Sequence, residues 1–168
     1  MKLTMRGRMV FGSFFGILFL LSQAVTAVQA VPLTLERTAK MTLMTYSHAK
    51  SLTDVQLADL LHAVGFEGGS LRNAWAIAKK ETHGRPLAHN LNPWTGDDSY
   101  GLFQINMRGD LGPSRRAYYK LPSNKALLDP VTNAKVAYIM SGHGKDWSPW
   151  KGVNNPVVKS WKKQYPKK

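Results

Sequence analysis

The sequence predicts a mainly α domain with a small β element, an α+β architecture. Apolar residues recur at helical spacing in two stretches between Asp54 and Glu81, and again after Asp129-Pro130. Between them, residues 85–100 are rich in Pro, Asn, Asp and Gly, the composition of loops or a small hairpin. The whole chain has 168 residues, 43% hydrophobic and 20% charged, which suits one packed domain and excludes a disordered or collagen-like chain. Lys and Arg number 23 against 10 Asp and Glu, a net charge of +13. Such an excess points to a polyanionic partner: nucleic acid, anionic lipid or an acidic wall polymer. Cysteine is absent, so disulfides, thiolate metal sites and a Cys nucleophile are excluded, and stability must come from a core.

Residues 1–30 read as a secretory signal peptide. Lys2, Arg6 and Arg8 precede the apolar block MVFGSFFGILFLL, which decays into SQAVTAVQA. Cleavage is expected after Ala30, with Ala27 as the second choice, and an uncleaved membrane anchor is the alternative. Removing the leader leaves 20 basic against 10 acidic residues, a balance of +10, so basicity belongs to the exported part. Residues 31–50 form an entry segment with a short helix around Glu36 to Tyr46, and residues 51–152 form the main domain. Its first helix starts at Thr53 as N-cap and ends at Gly65, with Val55, Leu57, Ala58, Leu60, Leu61 and Val64 on one face. Gly68-Gly69 breaks the chain. Ser70 then caps a second helix, stopped by Gly84 and Pro86. The apolar run SYGLFQINM, Ser99 to Met107, fits a strand end or a helix start equally well. Later helices are expected over Ser114–Tyr119 and over Thr132–Ser141, the latter capped by Thr132. Residues 153–168 are a basic tail, KSWKKQYPKK at its end, able to hold polyanions or simply to fray.

Glu81 is the first candidate for chemistry. It prolongs the apolar stripe of its helix, three and four residues after Ala78 and Ile77, while Lys79 is assigned to the wet face. A carboxyl in apolar surroundings, at the negative end of a helix dipole, is harder to ionise and can act as a general acid. The alternative is a solvated Glu, or one paired with Lys80.

Glu81-Thr82-His83-Gly84 is followed by Ser99-Tyr100-Gly101-Leu102-Phe103-Gln104-Ile105-Asn106. Downstream come Leu128-Asp129-Pro130 with Asn133, Ala134 and Ala137, and then Gly144, Asp146, Trp147 and Trp150. In this order the motifs resemble the lysozyme-like superfamily, most closely its bacterial and phage lytic transglycosylase (SLT) branch, over about residues 55 to 152. The resemblance implies a lysozyme-like fold with its small β element beside an active-site cleft, and peptidoglycan as substrate. It implies Glu81 as catalytic acid, Thr82 in the usual Ser position, and Gln104 and Asn106 hydrogen-bonding N-acetylated sugars. Tyr100 and Phe103 could stack on sugar faces, but core filling is the expectation for Phe103 and Ile105. In animal-type lysozymes a second carboxylate immediately precedes Tyr-Gly; here that position is Ser99. Asp97 and Asp98 lie just upstream, and Asp98 is the candidate that keeps hydrolysis open. Tyr138 is a weak stand-in for the tyrosine of larger transglycosylases, with helix packing as its alternative.

None of the five histidines forms a metal-binding helix pair, so no metal or cofactor is expected. The partners expected are peptidoglycan glycan strands and the anionic cell envelope, not nucleic acid, and the protein is expected to be a monomer, secreted or in the periplasm. Three functions compete: a peptidoglycan-cleaving transglycosylase or muramidase, a non-catalytic wall-binding relative, and a membrane-active basic protein.

Overall fold

The computed structural model describes residues 33–167; the leader expected over residues 1–30 lies outside them. The elements run α1 (Leu33–Tyr46), α2 (Asp54–Val64), α3 (Gly68–Thr82), β1 (His89–Asn92), β2 (Asp97–Tyr100), β3 (Ile105–Asn106), α4 (Leu111–Tyr119), α5 (Pro130–Met140) and α6 (Pro156–Lys163). Short 3-10 turns cover Asn124–Leu128 and Ser148–Trp150. Six helices and a three-stranded antiparallel sheet of order β1-β2-β3 give the expected mainly α architecture with a small β element. Among the described residues no helix is long and apolar enough to cross a membrane.

Thr53 caps α2 reciprocally: the Gln56 N–H donates to Thr53 Oγ1 at 3.2 Å, and the Thr53 N–H donates to Gln56 Oε1 at 2.9 Å. Gly65 closes the helix at φ +119°, where a side chain would also meet the Tyr138 ring. Two expected caps move. α3 starts at Gly68, because Glu67 takes the extended N-cap position and the Ser70 hydroxyl, now inside the first turn, accepts the Glu67 N–H at 3.1 Å. α5 is capped by Asp129, not Thr132: its Oδ2 accepts both the Thr132 N–H (2.9 Å) and hydroxyl (2.7 Å).

The core gathers Leu57, Leu60 and Leu61 of α2 with Trp75 and Ile77 of α3, all at 1% exposure or less. Phe66 joins them, stacked 5.7 Å from Trp147 and edge-on to Tyr138 at 4.9 Å. The basic tail does not fray: it forms α6, which packs on α3. Val158 is fully buried, while Trp161 and Tyr165 sit edge-on to Trp75 at 6.2 and 5.6 Å. This packing also overturns the expectation for Lys79. The residue is buried, with its ammonium 2.7 Å from Asp54 Oδ1 and 4.9 Å from the Trp161 ring centroid.

Candidate active site

The site begins where α3 ends. His83 takes the left-handed cap at φ +57°, and its N–H donates to the Lys79 carbonyl at 2.8 Å, so Glu81 falls in the final turn. Two adjoining hollows, of about 640 and 480 Å³, meet there; Glu81, Asn90 and Gln104 line both. One runs past Arg85 and Leu87 and the other past Asp97, Ser99 and Trp150. Glu81 therefore sits at the waist of a single groove.

Its surroundings differ from the apolar pocket read from the helix stripe. The Lys80 ammonium lies 2.6 Å from Glu81 Oε1 and also donates to the Trp150 carbonyl at 3.1 Å. The Glu81 side chain is 21% exposed. Glu81 lacks an apolar pocket because α6 packs on the face holding Lys79 and the Trp150 carbonyl draws Lys80 over the groove. Glu81 Oε2 has no internal partner among the described residues.

The opposite wall is the sheet, and its register decides which side chains face the groove. His89 pairs with Tyr100, Asn90 with Ser99, Leu91 with Asp98 and Asn92 with Asp97; β3 then sets Asn106 opposite Ser99. Alternation puts Asn90, Asp97, Ser99 and Asn106 on one face, and all of them line the groove. Asp98 and Tyr100 lie on the other. Asp98 Oδ1 is 2.8 Å from His89 Nε2, and the His89 ring stacks on Tyr100 at 4.2 Å. Burial, and then the Asp98 carboxylate beside it, push the Tyr100 phenol above its ordinary range. The expected second carboxylate at Asp98 and the expected sugar platform at Tyr100 are both corrected by this register. Asp97 is the acid on the groove face, its oxygens accepting the Thr95 hydroxyl at 2.8 Å and the Ser99 hydroxyl at 3.4 Å.

The turn between β2 and β3 explains the SYGLFQIN run: it is two strand ends joined by Gly101–Gln104. Gly101 holds φ +70°, and a Cβ there would run into the Leu127 carbonyl oxygen and the Asn133 side chain. Asn133 is fully buried and satisfied: its amide donates to the Tyr100 and Leu127 carbonyls and its oxygen accepts the Phe103 N–H, all at 2.9 Å. The Trp150 indole adds a 2.7 Å bond to the Phe103 carbonyl. Phe103 and Ile105 fill the core, as expected.

Gln104 faces the groove with its amide nitrogen donating to the Ala88 and Gly101 carbonyls at 3.2 and 3.0 Å. Its Oε1, free of internal partners among the described residues, is left as an acceptor. Asn106 lines the groove, but its amide is spent on the hairpin: Nδ2 donates to the Gly96 carbonyl at 3.1 Å and Oδ1 accepts the Arg108 N–H at 2.9 Å. Thr82 is 1% exposed, its hydroxyl 3.1 Å from the Ala78 and Leu102 carbonyls. It ties α3 to the Gly101–Gln104 turn at the edge of the larger hollow. Tyr138 lines neither hollow; it packs against Phe66 and His143. Lys80 makes the pairing with Glu81 that the sequence left as the alternative; Asn90 escaped the sequence reading, since a single Asn in a loop does not mark a groove.

An acidic helix end facing an antiparallel hairpin across a groove is the arrangement of a lysozyme-like domain. The family model described as "Lysozyme like domain" matches residues 58–152, more than half of the chain, and the protein belongs to that family. Lysozyme C from Halichoerus grypus and from Leptonychotes weddellii are each 37% identical over 78 residues. The aligned stretch covers 44% of this chain and 53% of each relative, so the chain spans about half the length of the curated relatives it matches. No solved structure gives a significant match.

Proposed function

We propose that the domain cleaves the β-1,4 bond between N-acetylmuramic acid and N-acetylglucosamine in peptidoglycan as a lytic transglycosylase, with Glu81 as the sole general acid and base. The observation that carries the reading is the groove face itself. Glu81 stands on one wall, and Ser99, not a carboxylate, occupies the position that precedes Tyr-Gly on the other. Without a nucleophile there, the N-acetyl oxygen of the substrate attacks the anomeric carbon while Glu81 protonates the departing glycosidic oxygen. The resulting Glu81 carboxylate then takes the proton from the sugar's own 6-hydroxyl, which closes onto the anomeric carbon and leaves an anhydro end. The Lys80 ammonium on Oε1 holds the carboxyl in place and leaves Oε2 to handle the proton. Gln104 Oε1 and Asn90 are placed to receive N–H and O–H groups of the glycan. The leader read over residues 1–30 supports an exported enzyme acting at the cell envelope.

Asp97 supports a second reading. It shares the groove face with Ser99, so a muramidase would use Asp97, not Asp98, to direct water or stabilise the intermediate. Mass spectrometry of digested wall separates the two: anhydro ends are expected, and reducing ends carrying added water would sink the transglycosylase reading. Glu81→Gln is expected to lower wall clearing by at least roughly 100-fold with the fold intact. Full residual clearing would show that Glu81 is not the acid. Asp97→Asn should leave an anhydro-forming enzyme largely active and should disable a hydrolytic one.

A further inference from the structure

The other end of α3 carries a second concavity, of about 660 Å³. Ala58 and Leu71 form its apolar floor, and Arg72, Lys162, Lys163 and Lys167 supply its charge; no acidic side chain lines it. The local sequence dictates this. In the α6 segment PVVKSWKK, Val158 and Trp161 recur at helical spacing and turn toward Trp75, which drives Lys162 and Lys163 to the side facing α2 and the start of α3. Among the described residues, Arg72, Lys162 and Lys163 form no ion pair with an acid within 4.0 Å. Arg72 instead lies 5.7 Å above the Tyr165 ring. Burial, and then the charges of Lys159 and Arg72, push the Lys162 ammonium below its ordinary range. Like charges gathered in a hollow repel one another, and an anionic guest relieves that cost.

Arg72 and Glu81 lie on the same helix, roughly 14 Å apart along its axis and on opposite sides by helical periodicity. The concavity is therefore separate from the groove. We infer that it binds the phosphate groups of a linear phosphodiester polyol, the chemistry of an anionic wall polymer. Several monocationic donors converging on one small hollow suit a tetrahedral anion with several acceptor oxygens. Nucleic acid fits less well: Trp161 and Tyr165 are turned edge-on to Trp75, and Arg72 covers Tyr165, so no aromatic face is presented for base stacking. A bilayer fits less well too, because the apolar residues Val158 and Trp161 face the protein and the cations line a hollow. Holding a polymer interleaved with glycan would keep the groove near its substrate by raising effective concentration.

Calorimetric titration of the full chain with poly(glycerol phosphate) tests the site. Salt-sensitive binding is expected, weakened at least about tenfold by Lys163→Glu together with Lys167→Glu. Both side chains are exposed, so circular dichroism and turnover of a short uncharged glycan should be unchanged in that variant. Glu81→Gln should bind the polymer as the parent does, so loss of catalysis and loss of this site read out separately. Undiminished binding in the double variant would overturn the proposal. Tighter binding to single-stranded DNA, polyglutamate or phosphatidylglycerol vesicles at matched charge would overturn it equally.

Discussion

The two walls of the groove are held by different kinds of bond. On the helical side the ties are out of water: Thr82 to Leu102, Trp150 to Phe103, and Asn133 to Tyr100, Phe103 and Leu127. On the hairpin side they are exposed. Asn92 Oδ1 accepts the Trp94 N–H at 3.0 Å, Arg108 donates to the Pro93 carbonyl at 2.7 Å, and Trp94 at the tip is 96% exposed. Buried bonds are electrostatically stronger and costly to leave half-made, whereas water replaces exposed ones at little cost. The acid thus stands on a wall with one arrangement, opposite a hairpin whose ties water can replace.

The largest test of that contrast is Gly101→Ala. A methyl against Leu127 and Asn133 at a left-handed φ should destabilise the domain by at least about 3 kcal/mol in urea unfolding. A near-neutral result would show that the turn can move and that the helical wall is not rigid. Asn133→Ala comes next, at roughly 3 kcal/mol, because it strands the Phe103 N–H and the Tyr100 and Leu127 carbonyls in the interior.

Acid should act on the helical side through Asp129. Burial raises the pKa of this carboxyl, but the His48 N–H at 2.6 Å and the Thr132 hydroxyl and N–H outweigh burial and hold it below its ordinary range. A depressed pKa contributes stability above the unfolded value of about 3.9, lost as pH falls through the folded value. Stability should therefore fall more steeply below about pH 4 in the parent than in Asp129→Asn, measured by thermal melts across pH. Equal slopes would remove Asp129 from the account. The smallest effect is expected on the hairpin: Arg108→Ala should change stability by no more than about 0.5 kcal/mol. A loss as large as that of Asn133→Ala would erase the distinction between the walls.

How far the sequence could be read follows from the range of the forces involved. Thr53 announced a helix start because an N-cap needs only neighbouring residues. Glu81 in the last turn of α3 was legible for the same reason. The position of Asp97 against Asp98 was not, since alternation tells neighbours apart only once the register is known, and β1 sets that register across a turn. Thr82, Tyr100 and Asn106 were named from motif positions, but what each side chain bonds to depends on partners more distant in the chain.

The sequence by itself determined the mainly α architecture, the α2 caps at Thr53 and Gly65, and an acid at a helix end ahead of a Gly-centred turn. Local backbone preference and hydrophobic period specify such features. Only the tertiary structure decided that Lys80 pairs with Glu81, that Asp97 and not Asp98 faces the groove, and that the basic tail folds as α6 over Trp75. Each of those results from packing between segments far apart in the chain, where burial and strand register choose between alternatives that local preference leaves equal.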